Sequence, residues 1–209
     1  MQILVFPLGP LETNCYLIHS NTQAIVVDPG GPPDALLSLI KKEGLSLTHI
    51  LLTHLHFDHT YGVQPLVAAT GAKVMASEKD AFMLQSEMGL GGMWGTSPVT
   101  KFSYTNIGEG NLSLGIGTCT VLATPGHSPG GLSFYFAEMG AVCSGDSLFH
   151  RSIGRTDLAG GDEKTLFASI RGQLFSLPEE TIVYPGHGPS TAIGDEKRNN
   201  PYSSDFIFV

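Results

Sequence analysis

Four times in this chain a short apolar run ends on a tight turn that carries a histidine or an aspartate. Ile50-Leu51-Leu52-Thr53 leads into His54-Leu55-His56-Phe57-Asp58-His59, and Cys119 to Ala123 leads into Thr124-Pro125-Gly126-His127. Ala141 to Ser144 leads into Gly145-Asp146, and Thr181 to Tyr184 leads into Pro185-Gly186-His187. A buried strand is a rigid mount for the loop that follows it. The glycine ahead of each of the last three groups permits backbone conformations that a side chain would forbid, so the polar group can be turned sharply off its strand. One such turn is ordinary. Four, each with a His or Asp, call for a fold in which strand ends converge on one site.

The first of these turns is the densest. Three of the eight histidines of the chain fall between positions 54 and 59, with Asp58 among them. A lone histidine is usually a surface or core residue; three this close, interleaved with a carboxylate, are a ligand set for a metal such as zinc, iron or manganese.

The remaining sequence reads as scaffold. Ile3 to Phe6, Cys15 to Ile18 and Ala24 to Val27 have strand composition, and the third ends at Asp28-Pro29-Gly30-Gly31. Pro32 and Pro33 open a helix with Leu36, Leu39 and Ile40 on one face, and Gly44 closes it. A helix is expected over Tyr61 to Thr70, a strand over Ala72 to Ala76, and a helix from the cap Ser77 to Met83. From Gln85 to about Asn106 the pattern breaks down around Gly89, Gly91, Gly92, Gly95 and Trp94. This stretch is either a surface excursion or a lid over the site. Further strands are expected over Leu112 to Leu114 and Leu132 to Phe136. The segment Arg151 to Asp157 reads as loop, and a helix follows from Asp162-Glu163 with Leu166, Phe167, Ile170 and Leu174 on its apolar face. No repeat or linker interrupts the 209 residues, so one domain is expected over 1–209.

Composition narrows the function classes. A net charge of −8 with only 11 basic residues argues against nucleic acid or an anionic membrane as partner, because both select a positive face. Cys15, Cys119 and Cys143 are odd in number and widely spaced, which fits a reduced compartment rather than a disulfide framework. No basic leader and no apolar run of about 18–20 residues is present, so a soluble, cytoplasmic chain is expected, as a monomer or small homo-oligomer.

The ordered set His54, His56, Asp58, His59, His127, Asp146 and His187 resembles the His-X-His-X-Asp-His signature of the metallo-β-lactamase superfamily, with its distant His, Asp and His. More narrowly, nearly the whole chain is similar to the single-domain glyoxalase II (hydroxyacylglutathione hydrolase) group. The similar segments include Val27 to Gly31, Thr124 to Gly130, Gly145 to Phe149, Gly154-Arg155-Thr156-Asp157, Gly186 to Pro189 and Asn200-Pro201-Tyr202. The resemblance implies an α/β fold, a four-layered αββα sandwich of two mixed β-sheets covered by helices. It implies two divalent ions per chain, zinc first, with iron or manganese as alternatives. His54, His56 and His127 would hold one ion, Asp58, His59 and His187 the other, and Asp146 would bridge them. It also implies hydrolysis of an S-2-hydroxyacylglutathione thioester, of the S-lactoylglutathione type, by a metal-bridging hydroxide that Asp58 orients.

Other roles follow the same resemblance. Asp28 would contact a ligand histidine from behind, although an aspartate on a Pro-Gly turn also serves as a turn cap. Arg155 would hold the glutathione moiety, with Arg151 as a second basic candidate, and Asp157 could pair with a neighbouring arginine. No cysteine stands at the Asp146 position, unlike in many zinc β-lactamases. The chain also ends about twenty residues after His187, so the helical domain that supplies further glutathione contacts in two-domain glyoxalase II enzymes has no counterpart in this sequence. The closest rival function on this motif is a persulfide dioxygenase, which would use one iron on His54, His127 and Asp146.

Overall fold

Short β-branched runs separated by Gly- and Pro-marked turns build two mixed β-sheets. The computed structural model describes residues 1–92 and 98–202. The chain forms two compact units: Met1–Ile107 with Ser113–Thr118, and Gly108–Leu112 with the chain from Cys119 onward.

In the first unit, β1 (Gln2–Leu8), β2 (Thr13–Ser20) and β3 (Gln23–Val27) form an antiparallel meander. From β3 onward the sheet is parallel, through β4 (Ser46–Leu51), β5 (Lys73–Ala76) and β6 (Thr105–Asn106), in the spatial order β1-β2-β3-β4-β5-β6. Parallel neighbours need crossovers. Helix α1 (Asp34–Lys42) joins β3 to β4, and α2 (Phe57–Thr60) and α3 (Val63–Thr70) join β4 to β5. Asp34 in the first turn of α1 and Lys41 and Lys42 in its last complement the helix dipole, while Leu36 and Ile40 share the buried face. The core under this sheet contains Leu17, Val26, Leu36, Ile50, Leu52 and Leu66, all fully buried. Because β3 and β4 pair in parallel with Val27 opposite Leu51, the chain leaves both strands at the same edge, putting Asp28 beside Leu52 and Thr53. Loops at the carboxyl ends of parallel strands are where such sheets place their sites.

A short helix α4 (Glu87–Leu90) follows a 3-10 helix at Glu78–Gln85. The second unit contains the start of β7 (Gly110–Leu114), most of β8 (Gly117–Ala123), β9 (Leu132–Phe136), β10 (Ala141–Gly145), a hairpin of the two-residue strands β11 (Leu148–Phe149) and β12 (Ser152–Ile153), α5 (Glu163–Ser169), β13 (Ile182–Pro185), β14 (Thr191–Ala192) and α6 (Ile193–Asn199). Its sheet has the order β14-β13-β10-β9-β8-β7. Strands β8 and β9 are antiparallel, as are β9 and β10, and β10 is parallel to β13. Strands β8, β10 and β13 therefore point the same way, and His127, Asp146 and His187 all leave the sheet at one edge. Helix α5 is capped by the Asp162 carboxylate, which accepts the Thr165 N–H at 2.7 Å, and packs Leu166 and Phe167 into the second core with Leu174, Val183 and Ile193.

Several elements differ from the sequence expectation. Ser77 caps a 3-10 helix instead of an α-helix, and the buried residues Asp80 and Met83 are spaced by three, the period of that helix. The segment after Phe149, expected to be loop, turns back as the β11–β12 hairpin, with Arg151 at φ 56° in its turn. Residues 85–106 include α4, a Gly91–Pro98 bridge and β6; Met93, Trp94 and Gly95 lie outside the described residues, and with them the lid reading. Helix α6 was not expected because IGDEKRN has no apolar stripe. A carboxylate holds it instead. Glu196 is fully buried and accepts the Arg151 N–H (3.0 Å), Arg151 Nη1–H (2.7 Å), the Thr191 hydroxyl (2.6 Å) and the Asn200 amide (2.8 Å). Replacing Glu196 by Ala leaves these donors facing a void. Urea unfolding of Glu196→Ala should show a loss on the order of 3 kcal/mol, and Glu196→Gln should lose less because it keeps one acceptor.

Candidate metal centre

In the first unit the loop after β4 is tied down from behind. Asp28 sits in the left-handed region at φ 50°, a conformation aspartate tolerates better than most residues, and its N–H donates to Leu51 O at 3.1 Å. Its buried carboxylate accepts the Thr53 N–H at 2.8 Å, the Thr53 hydroxyl at 2.6 Å and the His59 Nδ1–H at 2.9 Å. A carboxylate only accepts, so His59 carries its proton on Nδ1 and turns the Nε2 lone pair away from Asp28. This is the usual carboxylate–histidine arrangement behind a metal. The three imidazoles pack together, His54 to His56 at 4.6 Å between ring centres and His54 to His59 at 4.1 Å. His56 precedes the first turn of α2, and its carbonyl accepts the His59 N–H at 3.0 Å, so the ligand loop and the short helix are one structure. The Asp58 carboxylate accepts the Thr13 hydroxyl at 3.2 Å and lies 3.6 Å from His59 Nε2. Gly30 makes this possible. A Cβ there would run into the Asp58 carbonyl and the Thr13 side chain.

The second unit repeats the device. His127 Nδ1 donates to the carbonyl of Arg155 at 2.7 Å; a carbonyl only accepts, so again Nε2 is left with the lone pair. Asp146 Oδ2 lies 3.6 Å from Nε2 of both His127 and His187. That is too long for a hydrogen bond and is about the separation of two ligands each ~2.1 Å from a shared ion. The close approach again needs glycine. A Cβ on Gly154 would meet the Asp146 carbonyl and the His127 side chain, and Gly126, at φ 132°, lies against the backbone of Leu166 in α5.

The basic residues expected to meet substrate are engaged within the second unit. Arg151 pairs with Asp195 at 2.8 Å and with Glu196 at 2.7 Å, so its guanidinium fastens α6. Arg155 is 62% exposed and binds Asp157 through two parallel hydrogen bonds of 2.7 and 2.8 Å. The Asp157 carboxyl is lowered to about 2, chiefly by that hydrogen bond. Sequence reasoning did not find Thr53, Thr13 or the main-chain role of Arg155. Thr53 was visible as the residue before His54, whereas Thr13 and the Arg155 carbonyl carry no sequence signal.

The residues fit divalent ions. Imidazoles that present Nε2 as a lone pair, as the Nδ1 bonds of His59 and His127 require, together with carboxylates, are the ligands such ions select. The architecture and these donors define the class: an α/β protein whose two mixed sheets each carry His and Asp side chains, of the types that bind metals, at strand ends. The chain matches the metallo-beta-lactamase superfamily over residues 8–187, and it belongs to that superfamily and has its fold. It is 36% identical over 208 residues to the hydroxyacylglutathione hydrolase GloC of Haemophilus influenzae, spanning 97% of this chain and 98% of the relative. Among solved structures it is similar to the BLEG-1 B3 metallo-beta-lactamase, with a TM-score of 0.91 at 39% identity over 97% of this chain and 100% of that one. It is also similar to TTHA1623 in a di-iron-bound form, with a TM-score of 0.85 at 41% identity over 95% and 99% of the two chains.

Two measurements check this description. Asp28→Asn removes the anion behind His59 and should weaken zinc binding by about 10–100-fold in a chelator competition, while the circular dichroism spectrum stays native. Carboxyl NMR should find Asp157 titrating near 2 in the wild type and moving back toward its ordinary 3.8 in Arg155→Ala. Because the folded value is depressed, the stabilisation from the pair is complete above 3.8 and is lost as pH falls through about 2.

Proposed function

We propose that the chain is a metal-dependent thioester hydrolase that cleaves an S-2-hydroxyacylglutathione to glutathione and a 2-hydroxy acid, with both units acting as one domain. The observation that carries this reading is the position of Asp146, whose Oδ2 is equidistant, at 3.6 Å, from Nε2 of His127 and of His187. Those distances suit a carboxylate that shares one ion with each histidine, which supports a two-ion reading. In this reading His54, His56 and His127 would hold one ion, Asp58, His59 and His187 would hold the second, and Asp146 would be shared by both. When bound, such a pair supplies Lewis acidity and lowers the pKa of water to about 7.

The protein's own groups do the rest. Asp58, held by Thr13, orients the attacking water and accepts its hydrogen bond. Water adds to the thioester carbonyl, the C–S bond breaks, and the thiolate takes a proton as glutathione leaves. Arg155 is the candidate for the peptide carboxylates of glutathione, since it is exposed and Asp157 fixes the orientation of its planar guanidinium; Arg151 is committed to α6. The 36% identity to GloC supports the substrate class, and the di-iron form of TTHA1623 supports iron beside zinc as a candidate metal.

The test offers the purified, metal-counted protein S-lactoylglutathione, glutathione persulfide under an oxygen electrode, and a β-lactam, the last because of the likeness to BLEG-1. Thioester cleavage with two ions per chain is expected. Oxygen uptake with one iron and no cleavage would establish the dioxygenase instead, and β-lactam turnover alone would place the chain with the lactamases. His187→Ala should bind one ion fewer and lose at least about 100-fold in kcat. Arg155→Ala should raise KM severalfold and leave the metal content unchanged, because His127 is held by the main chain of Arg155.

A further inference from the structure

We propose that Thr53 is a positioning residue through which one carboxylate, that of Asp28, orients two metal ligands at once. The Thr53 hydroxyl lies 2.6 Å from Asp28 Oδ2, an atom that only accepts, so its single proton is committed there. The same oxygen lies 3.0 Å from His54 Nδ1, and with its proton spent it can only accept. His54 therefore carries its proton on Nδ1 and presents Nε2 as a lone pair. Asp28 Oδ2 also takes the His59 Nδ1–H directly, at 2.9 Å. Asp28, Thr53, His54 and His59 are all at most 3% exposed, so water does not compete for these bonds.

Asp28 thus reaches His59 in one step and His54 in two. These are ligands of different ions in the assignment above, and the inference rests on that reading. The two arms are separable. The Thr53 N–H holds Asp28 Oδ1 at 2.8 Å whatever the side chain, so exchanging the hydroxyl for a methyl leaves the carboxylate and its bond to His59 in place. Only the relay to His54 is cut. Valine has nearly the shape of threonine, and serine keeps the hydroxyl.

Nitrogen-15 NMR of the metal-free wild type should find both His54 and His59 as the Nδ1–H tautomer. In Thr53→Val, His54 should lose that tautomer while His59 keeps it, and Thr53→Ser should restore it. Zinc titration should show one of the two ions of Thr53→Val weakened by about 10–100-fold, with the other, and both ions of Thr53→Ser, within about threefold of wild type. Unequal loss is the signature, since a general loss of structure would weaken both ions together. The proposal is overturned if His54 is the Nε2–H tautomer in the metal-free wild type, or if Thr53→Val binds both ions as the wild type does. The wild-type spectrum decides even if the valine variant does not fold. A wild-type chain that binds fewer than two ions would instead defeat the two-ion assignment, and the tautomer result would still judge Thr53.

Discussion

The buried carboxylate of Asp28 is the contact on which the His54–His59 segment of the first unit depends. An ionised carboxylate out of water is costly unless its lone pairs are used. Asp28 meets that requirement with donors from the metal-binding segment alone: Thr53 N–H, Thr53 O–H and His59 Nδ1–H. The cost of burial is thereby turned into orientation. The β3–β4 pairing brings Asp28 to this position, because parallel strands in register put the residues that follow them side by side. Sheet topology and ligand tautomer are consecutive steps of one argument.

The second unit uses a different acceptor for the same end. His127 is fixed by a main-chain carbonyl, that of Arg155, so the loop after β12 must come close to the loop after β8. Gly154 permits that approach, just as Gly30 permits the approach of the Asp58 segment. Both glycines sit where any side chain would collide with the backbone of a ligand residue. They are required by these close approaches rather than by the turns they lie in, and their φ values are negative or extended rather than left-handed.

The candidate metal-binding residues stood out in the sequence because histidine and aspartate are concentrated at strand ends. His54, His56, Asp58 and His59 share one segment, and the Gly-preceded His127, Asp146 and His187 leave one edge of the second sheet. The strands were legible for a similar reason, since continuous apolar runs have few other uses in a chain of this composition. Helix α6 was not, because periodicity reports apolar faces and this helix is fastened by the hydrogen bonds of Glu196. The same blind spot hid the work of Arg151: an arginine near a ligand strand looks the same in sequence whether it meets substrate or a buried glutamate.

This difference in legibility follows from how the two kinds of recognition are built. A metal ligand must be buried, oriented and of a particular donor chemistry, and each demand leaves a trace in the neighbours: a glycine that yields space, an aspartate behind a histidine, a strand of defined direction. A substrate contact such as Arg155 needs only charge and reach from an exposed position, and its pairing with Asp157 is compatible with either a structural clamp or a binding group held ready. Within the metallo-β-lactamase superfamily this separation has a functional consequence. The metal scaffold can persist while exposed residues around it are exchanged, so likeness to a glutathione hydrolase and to a β-lactamase at similar identity is what such a construction produces.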